Sequence, residues 1–347
     1  MGPCPSRRPA WWLVPLAAFL LALPVLVRAL ASGMANYLLS NFAIQSLVWV
    51  ALALSYDLSV GHAGTVTLAH PAFLGIGAYT AGVLSTRLGM PFLLNVLIAM
   101  FLAGAVAFLV GIPFFRLSDV FFAIGTLGFA FMAQIVAVNW QDVTRGALCI
   151  TRIPRPEVAL GPLSFRVADL TGFYYLSLTI ATATCVTYLA ITTGRVGRAL
   201  AAVRGDEGLA QTFALNPLLY KMLAFVVGAM LASLIGVFQA HYVTVLCPDI
   251  LGTFFTLNLL IVVFLGGVGS LRGVILGAVL FTIIPELARF AQVWAQLVYG
   301  VVLLAVVLYA PDGVEGVVRR ALHRTQQRVS IWRRSAAEEE PADGDRG

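Results

Sequence analysis

The chain is short of charged residues. Asp, Glu, Lys and Arg make up 11% of its 347 residues, whereas apolar side chains make up 60%. A soluble domain usually carries about 25% charged residues, so this sequence has too little polar surface to cover a water-facing globule. The composition predicts a polytopic helical membrane protein.

Lysine is nearly absent. Lys221 is the only lysine, so arginine supplies almost all of the positive charge behind the net charge of +6. The basic residues lie mainly at the chain ends and in predicted loops, as the positive-inside rule for membrane proteins describes. They do not form a single stripe. We therefore expect contact with membrane lipid and no nucleic-acid partner.

Signatures of catalysis and of metal binding are missing from the sequence. It contains no G-x-x-x-x-G-K-[ST], H-E-x-x-H or G-x-S-x-G motif, and its four histidines are scattered. We predict that the chain is not an enzyme and holds no metal, cofactor or ATP of its own. A membrane enzyme acting on lipids is an alternative, but it would need acids, histidines or metal ligands that converge at one interface.

The four cysteines include no C-x-x-C pair. Cys149 and Cys247 fall in predicted loops that can share one face of the membrane, so both a disulfide and two free thiols fit the sequence.

Carboxylates are scarce inside the predicted membrane segments. Asp57, Asp119, Asp249 and Glu286 all lie near predicted ends of spans. Ion-coupled carriers generally bind their ion through acids or histidines within the membrane. The pattern argues against an ion-driven secondary carrier, which stays the alternative from another functional class.

Apolar runs of about 20 residues, long enough to cross a membrane, occur seven times. They cover residues 11–30, 36–56, 91–115, 119–139, 172–193, 222–240 and 292–310. The first run resembles a signal peptide. Because Arg28 interrupts the expected cleavage region, we predict an uncleaved transmembrane helix instead.

Two further apolar regions are irregular. Region 61–84 is rich in glycine and contains Pro71, which predicts a kinked or tightly packed helix. Region 253–284 has two halves of about a dozen residues, each too short to cross alone, separated by GGVGSLRG. We expect this region to enter the membrane and return, which gives about ten membrane segments with both termini cytoplasmic. A single broken crossing is the alternative.

This topology divides the chain into a cytoplasmic tail (1–10), a transmembrane domain (11–318) and a charged cytoplasmic tail (319–347) for which we expect disorder. Within the transmembrane domain, loop 194–221 is predicted to be cytoplasmic and loop 140–171 external.

The cytoplasmic loop contains a charged stretch that reads as helix, GRALAAVRGDEGLAQTFALNP. Its first helical piece runs from Arg198 to Arg204. Asp206 suits the N-cap of a second helix, and Glu207 suits the positive end of that helix. The second helix carries an apolar strip and ends at Asn216; the strip is Leu209, Ala210, Phe213 and Ala214. Two such amphipathic helices fit either a surface that rests on the bilayer or a docking site for a partner protein.

Five segments carry a family resemblance. In chain order they are SVGHAGTVTLAHPAFLGIGAYTAG, FFAIGTLGFA, GRALAAVRGDEGLAQTFALNPLLYKMLAF, LIVVFLGGVGSLRGVILGA and YGVVLLAVVLYAPDGVEGV, and they cover most of residues 40–318. Taken in this order they resemble the branched-chain amino acid permease family of bacterial ABC importers, specifically its M-type subunit.

The resemblance implies an all-α transmembrane bundle in the bacterial inner membrane, forming the path for branched-chain or related apolar amino acids. Family members that carry urea or short amides are the alternative. The implied partners are a second homologous permease chain, two cytoplasmic ATP-binding subunits that hold ATP and Mg, and an extracytoplasmic substrate-binding protein.

The resemblance also makes the charged stretch a pair of coupling helices that dock the ATPases. Glu207 would pair with a basic residue of the ATPase, and Leu209 and Phe213 would fill its groove. The full ATPase-coupling set is Arg198, Arg204, Asp206, Glu207, Leu209, Ala210, Phe213, Ala214 and Asn216.

Several residues depart from the family pattern. Glycine is expected at Ala214, and also at Arg145 and Cys149 in the external segment. The segment Thr67-Leu68-Ala69-His70 stands where serine-leucine-glycine-histidine is common.

Candidate residues of the translocation path come from the two irregular regions. They are Gly61, Gly64, His70, Phe73, Gly77, Tyr79, Gly266, Gly267, Gly269 and Ser270. The glycines fit close helix packing equally well, and His70 fits a buried, hydrogen-bonded histidine. The second group would expose backbone groups to a passing solute, as broken helices do.

Overall fold

The computed structural model describes residues 22–24, 35–160, 163–167 and 169–287, together with Gly313 and Gly316. Most of the predicted span 11–30, both expected tails and the predicted span 292–310 lie outside these residues, so those predictions stay open.

The described chain is mainly helical. After a helical turn at Ala35–Tyr37, the helices are α1 (Leu38–His62), α2 (His70–Arg87), α3 (Phe92–Phe114), α4 (Asp119–Asn139), α5 (Gln141–Thr144), α6 (Leu170–Thr193), α7 (Arg195–Gly205), α8 (Glu207–Thr212), α9 (Pro217–Val243), α10 (Thr253–Gly266) and α11 (Leu271–Leu287). Within the described ranges, α1, α3, α4, α6 and α9 are long and apolar enough to cross a membrane. The prediction of a helical membrane bundle is confirmed.

Helix α1 continues beyond its predicted end. Its α-helical centre, Gln45–Asp57, is followed by a π-helical turn, Leu58–His62. Asp57 therefore lies within the helix and is fully buried. Its carboxylate accepts a hydrogen bond from the Tyr188 hydroxyl at 2.7 Å, which reduces the cost of its burial.

A kinked helix is one of the two alternatives that the sequence predicts for region 61–84. The structure does not have a single helix there. Residues 63–69, which we call the buried connector, follow α1 without regular structure, and α2 begins only at His70. Gly64 at φ +74° turns the chain out of the π-helix, and Pro71 lies in the first turn of α2, where its missing N–H costs nothing.

Helix α9 is the centre of the first part of the bundle, because it packs against both α2 and α3. Its approach to α2 depends on glycine. A Cβ atom added at Gly236 would stand 2.0 Å from the Leu74 carbonyl oxygen, and one added at Gly77 would stand 2.2 Å from that of Ser233. The backbones of α2 and α9 are therefore in direct contact, as in other tightly packed membrane helices.

Residues 257–347 form a separate compact unit that contains most of α10 and all of α11. A Cβ atom at Gly266 would approach the Gly273 carbonyl oxygen, and one at Gly277 would approach that of Val262. This pairing makes α10 and α11 antiparallel. Region 253–284 is thus a helical hairpin, and its entry into the membrane and return stay a prediction.

Short strands lie beside α5 and at the end of α9. Strand β1 (Ile150–Thr151) pairs antiparallel with β4 (Val245–Leu246), and β2 (Glu157–Leu160) pairs with β3 (Leu163–Arg166). The β1–β4 pairing brings the adjacent Cys149 and Cys247 together in a disulfide. Of the two alternatives left by the sequence, the structure has the disulfide.

Candidate functional site

Helix α7 packs its apolar side on the protein. Leu200 and Val203, three residues apart on this helix, are both buried. Leu200 joins Ala63 of the buried connector and Ala224 of α9 in one apolar cluster. The apolar side of α7 is therefore buried within the chain and does not rest on the bilayer.

Helix α8 begins as the sequence predicts. The Asp206 carboxylate accepts a hydrogen bond from the Leu209 backbone N–H at 3.0 Å and so caps the helix. This cap sets a sharp turn between α7 and α8.

Helix α8 is shorter than predicted, because it ends at Thr212. Leu215 N–H bonds to the Ala210 carbonyl, and Ala214 N–H bonds to that of Gln211. Ala214 adopts φ +57°. These three features make a Schellman motif, which terminates a helix and places Phe213 and Ala214 beyond it.

The predicted apolar strip divides into two sides. Ala210 is buried against the chain itself, so its side chain is not exposed for docking. Leu209 and Phe213 are 59% and 73% exposed. Two large apolar side chains exposed this close together fit a surface that docks a partner and also one that rests on the bilayer.

Glu207 has a partner within the chain. Its carboxylate is bonded to the Lys221 ammonium group, which also lies 3.8 Å from Asp119 at the start of α4. The pairing of Glu207 with a residue of another protein, expected from the sequence, would have to compete with Lys221.

A cavity of about 320 Å³ lies where α8 meets the beginnings of α4 and α9. It is lined by Thr65, Phe115, Leu117, Ser118, Asp119, Phe122, Glu207, Gln211, Asn216, Pro217, Leu218 and Lys221. Because Thr65 belongs to the buried connector, this cavity separates the connector from α8.

Arg198 and Arg204 are both exposed on α7 but differ in their contacts. Arg204 turns toward the body of the protein, where its guanidinium donates a hydrogen bond to the Gly61 carbonyl. The prediction grouped both residues as contacts to an ATPase, but the described contacts of Arg204 are internal.

The first set of path candidates is packed into the interior. Gly61, His70, Phe73, Gly77 and Tyr79 are all buried. The Nε2 atom of His70 lies 3.0 Å from the hydroxyl of Ser55, which matches the alternative of a hydrogen-bonded core histidine. Gly64 is exposed beside Arg204.

The second set of candidates forms the turn of the α10–α11 hairpin. Gly267 and Gly269 have φ values of +114° and +80°. The Ser270 hydroxyl donates to the Gly267 carbonyl at 2.9 Å. A Cβ atom at Gly313 would stand 2.5 Å from the Gly267 nitrogen, so Gly313 covers part of the backbone that was expected to face a solute.

Sequence reasoning missed two residues of this region. The role of Lys221 as a partner for nearby carboxylates could have been suspected, because it is the only lysine of the chain. Nothing in the sequence indicates that Tyr188 contacts Asp57. A tyrosine within an apolar span can have many partners, and these two residues are far apart in sequence.

Comparisons with known proteins identify relatives. A family model described as the permease component of a branched-chain amino acid transport system matches residues 38–307. The high-affinity branched-chain amino acid transport system permease protein LivM of Escherichia coli K12 is 28% identical over 301 residues, which are 81% of this chain and 71% of LivM. LivM of Salmonella typhimurium matches equally. BraD of Pseudomonas aeruginosa, a permease named for the same transport, is 25% identical over 77% of this chain and 91% of BraD. No solved structure matches the chain.

Proposed function

Because this chain belongs to the family of branched-chain amino acid transport system permeases, we propose that it is one permease subunit of an ATP-driven ABC importer. In this proposal the bundle forms part of the path for branched-chain or related apolar amino acids. Separate ATPase subunits bind ATP and Mg and dock on α7 and α8.

The observation that carries the proposal is the exposed pair Leu209 and Phe213. Leu209 lies on a short helix that is capped by Asp206 and braced by the Glu207–Lys221 pair, and Phe213 directly follows the last residue of that helix. Helix α7 is fixed to the body through Leu200. A rigid element that presents apolar side chains outward is suited to fill a groove in a partner and to transmit its movement.

The remaining partners follow from the same proposal. A second homologous permease chain completes the pore, and an extracytoplasmic binding protein delivers the solute. The bacterial inner membrane, with both termini in the cytoplasm, is the proposed location. The disulfide between Cys149 and Cys247 supports an external position for that end of the bundle, because disulfides persist in oxidising compartments.

Co-purification tests the docking surface. The tagged chain is expressed with candidate ATPases, a candidate second permease and a candidate binding protein from the same organism. Phe213→Asp is expected to lose about tenfold or more of the co-purifying ATPase, because it removes a central apolar contact of the interface. Glu207→Arg is a poorer probe, because the new arginine would lie beside Lys221. Repulsion between the two positive charges would disturb the chain itself as well as any contact with the ATPase.

The matched control is Leu148→Asp, which alters a side chain that is 85% exposed next to Cys149. It should retain the ATPases, because this loop lies at the other end of α9. If Phe213→Asp retains as much ATPase as the unaltered chain, the docking assignment is wrong.

Uptake by the reconstituted complex tests the solute. We expect ATP-dependent uptake of radiolabelled leucine that unlabelled valine and isoleucine suppress. Uptake of urea or acetamide without competition by leucine would replace the amino-acid assignment with the alternative.

The buried Asp57 supports a second candidate, an ion-driven carrier, because an acid within a span can bind a coupling ion. The same liposomes decide between the two. A proton or sodium gradient that drives leucine uptake into liposomes holding this chain without ATPase would favour the carrier. The proposed importer requires ATP and the full complex.

A further inference from the structure

The buried connector, residues 63–69, interrupts the membrane helices beside α7, where Ala63 packs in one cluster with Leu200. Its Ala63, Thr65 and Thr67 are at most 2% exposed. Nearby side chains satisfy part of its backbone: the Tyr56 hydroxyl donates to the Thr67 carbonyl at 2.8 Å, and the Thr126 hydroxyl accepts from Leu68 N–H at 3.0 Å. Irregular backbone of this kind is tolerated in a membrane protein only when other parts of the protein cover it.

Arg204 reaches the point where this interruption begins. Its guanidinium donates to the Gly61 carbonyl in the last turn of α1. The final carbonyls of a helix lack partners within it, and a cation there interacts favourably with the helix dipole. An arginine at this end of α1 is therefore a favourable and directional partner.

The stem of Arg204 lies against Gly64. A Cβ atom added at Gly64 would be 3.0 Å from the Cγ atom of Arg204, and Gly64 has φ +74°. The backbone at Gly64 thus gives the arginine room to pass. Gly61 and Gly64 are path candidates predicted from the sequence. In the structure both contact the Arg204 side chain of α7.

We propose that Arg204 is a positioning residue that links the ATPase-docking helices to the buried connector, so that displacement of α8 is transmitted to the break between α1 and α2. The inference rests on the proposed function, because it assumes that an ATPase moves α8. It gives Arg204, an exposed side chain, a contact within this chain in place of a contact to an ATPase.

The surroundings of Arg204 favour transmission of movement to the buried connector over a role limited to stabilising α7. The apolar cluster of Ala63, Leu200 and Ala224 makes α7 and the start of the connector one packed unit. On the other side, the cavity of about 320 Å³ between Thr65 and Gln211 leaves the connector space in which to shift.

The test measures the number of leucine molecules transported per ATP hydrolysed by the full complex in liposomes. Arg204→Met keeps the aliphatic stem and removes the donor. We expect it to retain ATPase co-purification and ATP hydrolysis but to lower the transport ratio about tenfold, since one charge-assisted hydrogen bond is lost. Arg204→Lys restores a charged donor and should recover most of the ratio.

Arg195→Met is the matched control, because Arg195 is an exposed arginine at the start of the same helix. It should leave the transport ratio unchanged. If Arg204→Met is not recovered from the membrane, Arg204→Gln is compared with Arg204→Lys in its place, and the charged variant should have the higher ratio.

The outcomes separate the two claims. If the unaltered chain fails to bind ATPase, the proposed function falls. If it binds ATPase and Arg204→Met keeps a normal transport ratio, only the linkage through Arg204 is wrong. Loss of ATPase binding by Arg204→Met would also overturn the linkage, because Arg204 would then belong to the docking surface.

Discussion

At the scale of single residues, three positions share a positive φ. Arg145, Cys149 and Ala214 have φ values of 60°, 58° and 57°. All three stand where the family resemblance leads us to expect glycine. Non-glycine residues rarely adopt a positive φ and lose roughly 1–2 kcal/mol in its left-handed helical region, so the expected glycines correspond to a physical requirement of the backbone that this chain meets at a cost.

Replacing Ala214 by glycine tests this reading. Ala214→Gly should relieve the unfavourable φ at the end of α8, although glycine also raises the entropy of the unfolded chain. We expect a net gain of about 0.5–1 kcal/mol, seen as a rise of about 2 °C in the apparent unfolding temperature in detergent.

Gln211→Gly provides the comparison, because Gln211 lies within the helical part of α8. Glycine there should lower stability by about 1 kcal/mol. If both glycine variants destabilise the protein alike, Ala214 carries no backbone strain.

At the scale of elements, α2 and α9 pack with their backbones in direct contact. Gly236→Ala would place a Cβ atom 2.0 Å from the Leu74 carbonyl oxygen and 3.0 Å from the Ala78 nitrogen. Because both neighbours are backbone atoms, the two helices must move apart. We expect a loss of about 1–3 kcal/mol or more and a matching fall in the apparent unfolding temperature.

Gly128→Ala is the matched substitution in a helix. Gly128 lies within α4, and a Cβ atom there would have nothing within 4 Å. It should be neutral or stabilise by up to about 1 kcal/mol, since alanine is the better helix former. Equal destabilisation by both variants would show that the close α2–α9 approach is not what limits stability.

The elements also show what the sequence could predict. The spans over 91–115, 119–139 and 172–193 follow from apolar runs and are found nearly residue for residue. The cap at Asp206 follows from local chemistry and is confirmed. These features depend on neighbours in sequence, so a single chain suffices to find them.

Other features depend on residues that are distant in sequence. The burial of Asp57 requires Tyr188, and the internal direction of Arg204 requires the break near Gly64. Likewise, Glu207 of α8 forms an ion pair with Lys221 in the first turns of α9. Composition and spacing contain no information about such pairings, which is why the predicted docking set included Ala210 and Arg204.

At the scale of the whole molecule, α9 separates two functional ends. It begins at Pro217 beside α8 and ends at Val243 beside β4, with 27 residues or about 40 Å of helix between them. The disulfide between Cys149 and Cys247 lies at the second end. If α9 crosses the membrane once, the docking helices and the disulfide must lie on opposite sides.

Labelling from each side of the membrane tests this central claim most directly. Gln211→Cys is placed in a chain whose Cys4 and Cys185 are changed to serine, and vesicles of both orientations are treated with a membrane-impermeant maleimide. The account predicts that Gln211→Cys reacts only when the cytoplasmic face is outward, and that Cys149 and Cys247, after reduction, react only in the opposite orientation. Reaction of Gln211→Cys from the external face, or of all these thiols from one face, would contradict it.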